Sequence, residues 1–335
     1  MNDILFKLNT LEKLIGHTPL VEISFLYKER KMKVYTKLEY YNLTGSIKDR
    51  IALYMLKKAY INNELHNDDL ILEATSGNTG ISFAAIGAYL GFNVHIYMPD
   101  WMSPERIKLL ESYNATVHLV SKEDGGFSKC ISLTEECKAN CSNIYLPQQF
   151  SNNTNLYSHY YSTAPEIYNT LKRHHLTPSI LVSGVGTGGT IMGLNKYLKE
   201  KNHHFKSYPL EPSSSPTLST GTHTGTHRIQ GISDEFIPPI VNLNNLNEII
   251  SIDDGDAIIM AQKLSRELGL GVGISSGANF IGAVKALDLN SSTSIVVTVF
   301  SDDNKKYLST DLMNKEPIKE NYISSDVKLI DLRVL

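Results

Sequence analysis

Lys48 stands in the stretch Thr44-Gly45-Ser46-Ile47-Lys48-Asp49-Arg50, between a β-branched run (residues 33–38) and a helical pattern (residues 51–60). Beside the positive end of a helix dipole, a lysine amine is biased towards its neutral form. A neutral amine attacks a carbonyl to make a Schiff base. Two other stretches could do chemistry. Gly186-Thr187-Gly188-Gly189-Thr190 combines close backbone approach, hydroxyls and amides at a helix start, the properties of a phosphate cradle. Thr75-Ser76-Gly77-Asn78-Thr79-Gly80 offers hydroxyl and amide side chains that suit a carboxylate. The turn at Gly186 is neither a G-x-G-x-x-G followed by a placed acid nor a pattern ending in Gly-Lys-Ser/Thr, which disfavours a dinucleotide or a nucleoside triphosphate. An imine-forming amine, a phosphate cradle and a carboxylate cradle are together what pyridoxal phosphate and an amino acid require.

Apolar runs alternating with helical patterns position these turns. Residues 34–38 read as a strand that delivers the lysine loop, and a helix follows over 49–60. A buried strand over 70–74 runs into the Thr75 turn and a small-residue helix over 81–90, closed by Gly91. Ser103-Pro104-Glu105 opens a helix with a capping residue and a proline at its first position. A strand over 180–185 leads to the glycine turn at 186 and a helix over 191–199. Ile274-Ser275-Ser276-Gly277-Ala278 opens another small-residue helix, and residues 295–300 form a continuous apolar strand. This alternation predicts an α/β fold with two open, twisted, mostly parallel sheets covered by helices. Residues 213–227 read as a loop, and those beyond 310 carry no clear signal.

The chain has 335 residues, 41% hydrophobic and 20% charged, with a formal charge of -3, so nothing marks a nucleic-acid or anionic-membrane surface. No apolar run approaches the roughly 18 residues of a membrane span, and no signal-peptide pattern opens the sequence, which makes the cytoplasm the expected location. Cys130, Cys137 and Cys141, spaced by seven and four, are expected on one core-facing helical stripe as reduced structural residues. The histidines at 174, 175, 203, 204, 223 and 227 are scattered over polar segments, and no metal site is expected.

Seven motifs in order resemble the cysteine synthase/cystathionine β-synthase family of fold type II pyridoxal phosphate enzymes, whose fold is tryptophan synthase β-like. They are Ile15-Gly16-His17-Thr18-Pro19-Leu20, Gly45-Ser46-Ile47-Lys48-Asp49-Arg50, Thr75-Ser76-Gly77-Asn78-Thr79-Gly80, Gln148-Gln149-Phe150, Gly186-Thr187-Gly188-Gly189-Thr190, Gln230-Gly231-Ile232 and Gly273-Ile274-Ser275-Ser276-Gly277. The resemblance implies that Lys48 is the Schiff-base lysine and the shuttle for the α-proton. It places Asn78 beside the cofactor's phenolic oxygen and Gly186, Thr187, Gly188, Gly189 and Thr190 around its phosphate. Ser275 falls opposite the pyridine nitrogen, where a neutral hydroxyl steers chemistry towards loss of a β-substituent. Thr75, Ser76, Gly77, Thr79, Gln149 and Gly231 fall on the substrate-binding positions. The implied reaction is β-elimination or β-replacement on cysteine or a serine-type amino acid through an aminoacrylate, forming or releasing hydrogen sulfide.

The resemblance further implies a smaller mobile domain over residues 41–153, a larger phosphate-anchoring domain from residues 1–40 with 154–310, and a tail over 311–335. It implies a homodimer, and a serine acetyltransferase is a candidate partner beside the amino acid and its sulfide, water or thiol co-substrate. Two stretches depart from the pattern. Ser233-Asp234-Glu235 stands where small residues are usual, and a carboxylate there suits a general base acting on water, serine hydroxyl or a thiol. Asp234 and Glu235 therefore join Lys48 as candidate catalytic residues, pointing to direct cysteine/serine interconversion. Phe300-Ser301-Asp302-Asp303 lacks an expected proline. The alternatives are an O-acetylserine sulfhydrylase, a cystathionine β-synthase-like condensation, a serine/threonine dehydratase, or a non-catalytic partner of an acetyltransferase.

Overall fold

The computed structural model describes residues 2–222, 224–233 and 235–335. Asp234 and His223 therefore lie outside the described residues. Eleven strands among them form two sheets. The strands are β1 (Leu20–Tyr27), β2 (Arg30–Leu38), β3 (Leu70–Ala74), β4 (Val94–Pro99), β5 (Thr116–Val120), β6 (Ile144–Tyr145), β7 (Ile180–Gly184), β8 (Lys206–Pro212), β9 (Ile250–Ile252), β10 (Val296–Phe300) and β11 (Lys328–Val334).

The larger sheet has the order β11-β1-β2-β10-β7-β8-β9. From β2 to β9 every pairing is parallel, and β1 and β11 add an antiparallel edge. The smaller sheet, β5-β4-β3-β6, is parallel throughout. All five residues of β10 are buried, as expected of a parallel strand covered on both faces. Helices Asp254–Leu268 and Ile274–Leu289 supply the core on one face of the large sheet. Helices Ala164–Arg173 and Gly189–Lys201 supply the core on the other. Under the small sheet, helices Lys48–Ile61 and Asn78–Leu90 pack around Ile71, Val94 and Ile96. Leu8 and Leu11 of helix Asn2–Leu11, which the sequence did not announce, also enter that core. No helix is long and apolar enough to cross a membrane among the described residues.

Local signals hold where they are strong. Gly91 ends helix Asn78–Leu90 in the left-handed conformation at φ 90°. Asp253 caps helix Asp254–Leu268 through the Gly255 amide at 2.9 Å. Ser103 precedes Pro104 as expected, yet its hydroxyl makes no cap and donates to the Lys306 carbonyl at 3.1 Å. The cysteine stripe needs correcting. Cys130 is buried, Cys137 is partly exposed, and Cys141 is exposed because the helix stops at Asn140 and turns extended towards β6. Beyond residue 310, β11 pairs with β1, and within that strand only Leu329 and Leu332 pack on the core, which leaves too short an apolar pattern to read.

Candidate active site

The carboxyl ends of β2, β3, β7 and β10 converge, where open α/β sheets bind ligands. The lysine loop after β2 is pinned from both sides. The Ile47 amide donates to the Ser301 carbonyl at 2.8 Å, and Ser46 forms a bridge with Asp302. Asp49 is fully buried and accepts from the Thr44 hydroxyl at 2.6 Å, the Thr44 amide at 2.7 Å and the Ser82 hydroxyl at 2.6 Å. On the next residue, the Arg50 guanidinium pairs with Glu39 at 2.6 Å and Glu166 at 2.7 Å, and Lys37 pairs with Glu166 at 2.7 Å. Arg50 and Lys37 beside it hold the Glu166 carboxyl down at about 2, against the upward pull of burial. Lys48 begins helix Lys48–Ile61 and its side chain enters a cavity between the two sheets.

That cavity is lined by Lys48, Thr75, Ser76, Asn78, Thr79 and Gln149. It is completed by Gly186, Thr187, Gly188, Thr190, Gly231 and Ser275. The structure thus gathers twelve of the expected residues around one space. Gly77 and Gly189 do not line it themselves: a Cβ on Gly77 would collide with Arg106, which does line it, and a Cβ on Gly189 with Asn155. Gly77 also adopts φ 155°, which only glycine tolerates easily.

The carboxylate turn is tied to Gln149. Thr79 donates to its Oε1 at 2.6 Å, and its Nε2 donates to the Ala74 carbonyl at 2.9 Å. Beneath them the Glu73 carboxyl oxygens accept from the Ala74 amide at 3.0 Å and the Gln149 amide at 3.3 Å. Burial pushes the Glu73 carboxyl up to about 8, and those amide bonds pull the other way.

The phosphate turn opens helix Gly189–Lys201, with Gly188 left-handed at φ 84°. A Cβ on Gly186 would collide with the Gly231 carbonyl, so this glycine lets the Gly231 segment close against the turn. Behind the turn stands His159, whose ring Nε2 lies 3.3 Å from the Thr190 hydroxyl. Burial, with the charges of Arg50 and Lys48, lowers its imidazole to about 3, so the ring is neutral at ordinary pH. The helix that carries Ser275 is tied to β7 and β10 by Asn279, which accepts from the Gly184 amide at 2.7 Å and donates to the Val299 carbonyl at 2.8 Å.

Glu235, expected at the catalytic centre, does not line the cavity. Its carboxylate accepts from the Ser128 hydroxyl at 2.6 Å, near the start of helix Gly126–Asn140. His227, one of the histidines on a polar segment, donates from its ring to the Ser233 carbonyl at 3.0 Å. Arg106, Asn155, His159 and Asn279 were missed, because nothing in their local sequence separates a buried polar residue from a surface one.

The donor set fits pyridoxal phosphate. A glycine turn at a helix N-terminus faces the same space as a lysine, and the buried Asn78 Oδ1 has no hydrogen-bond partner within the protein. Comparisons with known proteins agree. A family model described as pyridoxal-phosphate dependent enzyme matches residues 11–302. A probable cysteine synthase of Bacillus subtilis (strain 168) is 41% identical over 302 residues, covering 89% of this chain and 96% of its own. A hydrogen sulfide-producing enzyme from Fusobacterium nucleatum has a TM-score of 0.96 at 53% identity, over 99% of this chain and 100% of that one. A variant of a hydrogen sulfide-producing enzyme, with the same TM-score and identity over 98% of this chain, was solved with an α-aminoacrylate intermediate. The chain belongs to the pyridoxal-phosphate dependent enzyme family, in its fold type II, cysteine synthase branch.

Proposed function

We propose that this enzyme removes or exchanges the β-substituent of cysteine or a serine-type amino acid, with cysteine consumed and hydrogen sulfide released as the favoured direction. The observation that carries this reading is the single cavity that holds Lys48, the carboxylate turn and the phosphate turn together. The likeness to a hydrogen sulfide-producing enzyme over almost the whole chain supports the sulfide chemistry.

Bound there, pyridoxal phosphate supplies an electron sink that labilises the α-proton and the β-substituent of an amino acid. Gly186 to Thr190 would hold its phosphate and Lys48 its aldehyde carbon. Thr75, Ser76, Thr79 and Gln149 would bind and orient the substrate carboxylate. Lys48 Nζ would take the α-proton and return it at the end. Ser275 offers a neutral hydroxyl, which does not hold a positive charge on the pyridine nitrogen as a carboxylate would. The segment over 41–153 would act as the mobile unit, bringing the Thr75 turn over the substrate and excluding water. Asp234 would serve as general base on the incoming water or thiol. A homodimer belongs to the same reading, and the exposed rings of Tyr157 and Tyr161, stacked at 6.0 Å, offer the aromatic surface such interfaces use.

The test is incubation with cysteine, serine and O-acetylserine separately, with and without sulfide, and identification of the products by mass spectrometry. Sulfide from cysteine, with serine or a thioether as co-product, is the expected result. Pyruvate with no sulfur product from any substrate would overturn the reading. Asp234→Asn should depress reaction from cysteine or serine more than from O-acetylserine, and equal loss would remove the general-base role.

A further inference from the structure

Asp302 follows β10 by two residues and lines the cavity, yet it is only 1% exposed. Its Oδ2 accepts two hydrogen bonds, from the Asn78 side-chain amide at 2.8 Å and from the Tyr307 hydroxyl at 2.7 Å. Its Oδ1 has no hydrogen-bond partner and lies over Gly273, where any side chain would collide with it. A carboxylate so buried and half satisfied is costly, and folds retain such groups at functional sites.

The surroundings hold it firmly. The Gly273 amide donates to the Asp302 carbonyl at 3.1 Å, and Ser46 pairs with it on the other side. Tyr307 is fully buried, and burial with the neighbouring Asp302 charge keeps its hydroxyl protonated and donating. The Arg106 guanidinium packs 4.7 Å from the centre of the Tyr307 ring and donates to the Ser103 hydroxyl at 2.9 Å. Arg106 also lies beneath Gly77, one residue before Asn78. A closed circuit therefore runs from the carboxylate turn through Arg106, Tyr307 and Asp302 back to Asn78.

The Asp302 oxygen accepts from the Asn78 nitrogen, which turns the Asn78 carbonyl oxygen away from Asp302 and leaves it without a partner in the protein. We propose that Asp302 is a positioning residue that fixes which end of the Asn78 amide meets the cofactor's ring, with Tyr307 and Arg106 holding the carboxylate in place. This concerns the cofactor and stands whichever amino acid is consumed.

The test uses the visible absorption band of the purified holoenzyme and the dissociation constant for pyridoxal phosphate, neither of which a merely structural role would move together. Asp302→Asn should displace the band and weaken retention about tenfold, the worth of one hydrogen bond. Tyr307→Phe should move both in the same direction by less. In an Asn78→Ala background, Asp302→Asn should displace the band no further. An unchanged band with retention within about twofold of the parent would overturn the proposal. So would a further displacement without Asn78, since Asp302 would then act on the ring directly. Should Asp302→Asn fail to fold, Tyr307→Phe decides alone: a displaced band supports the proposal and an unmoved one overturns it.

Discussion

The Asn155 side-chain amide donates to the Thr187 hydroxyl at 2.9 Å while also donating to the Gln149 carbonyl at 2.8 Å. One fully buried residue thus ties the phosphate turn to the segment that carries the substrate-side glutamine. Asn155→Ala should weaken pyridoxal phosphate retention about tenfold, the loss of one good hydrogen bond, and raise the KM for the amino acid together with it. Dialysis followed by cofactor titration measures the first and steady-state kinetics the second. An effect on only one of the two would show that the link does not couple the turns.

Lys48→Ala should abolish the visible band of the holoenzyme and lower turnover by about a thousandfold or more, because the amine both holds the cofactor and moves the proton. The far-ultraviolet circular dichroism should be unchanged, since the loop is anchored by its neighbours Ile47, Asp49 and Arg50. Activity near the parent level would remove Lys48 from the chemistry.

Glu73 links stability to pH. Its folded-state carboxyl, raised to about 8 by burial, holds its proton where the unfolded chain has already released it. The stability this contributes is complete below the ordinary value of 4.5 and is lost as the pH rises through about 8. Glu73→Gln carries no charge to bury, so its thermal midpoint should match the parent near pH 4.5 and exceed it by several degrees above pH 8. Differential scanning calorimetry across that window reads the difference, and a gap that narrows with rising pH would contradict the sign.

Arg50 is structural despite standing two residues from Lys48. Arg50→Met leaves Glu39, 0% exposed, without its cation, and breaking such a buried pair costs about 3–5 kcal/mol. The thermal midpoint should fall by roughly 5–10 °C. Adding Glu39→Gln should recover much of that loss, because the isolated charge is then gone.

Glu235→Gln should alter turnover by less than about twofold, since an exposed bond to Ser128 is worth little. The comparison with Asp234→Asn in the same assay separates the two adjacent acids.

How far the sequence could be read follows from where each interaction lies along the chain. The glycine turn at 186, the Gly91 cap and the Pro104 helix start were legible because their causes are local: positive φ, helix ends and missing amides act within a few residues. The buried strands β3 and β10 were legible as short apolar runs between turn signals. Lys48, Asn78, Gln149 and Ser275 were recognisable as a set because each stands in such a turn or beside one, and their motifs recur in a fixed order.

Only the folded chain decided the rest. Asn78 and Asp302 meet from positions 224 apart, Arg50 reaches Glu166 across 116, and β11 finds β1 at the opposite end of the chain. A buried Asp302, Arg106 or Asn155 has the same composition around it as a solvated one, because its partners are supplied by sheet order and not by neighbours in sequence. Glu235 shows the converse. Its sequence place beside Gly231 suggested the catalytic centre, but the direction of a side chain is set by packing, and packing turned it to Ser128. The sequence by itself determined which groups the enzyme carries and which cofactor they suit, through local turn chemistry. The tertiary structure decided which of those groups face the cavity and which brace it, because long-range strand order sets their partners.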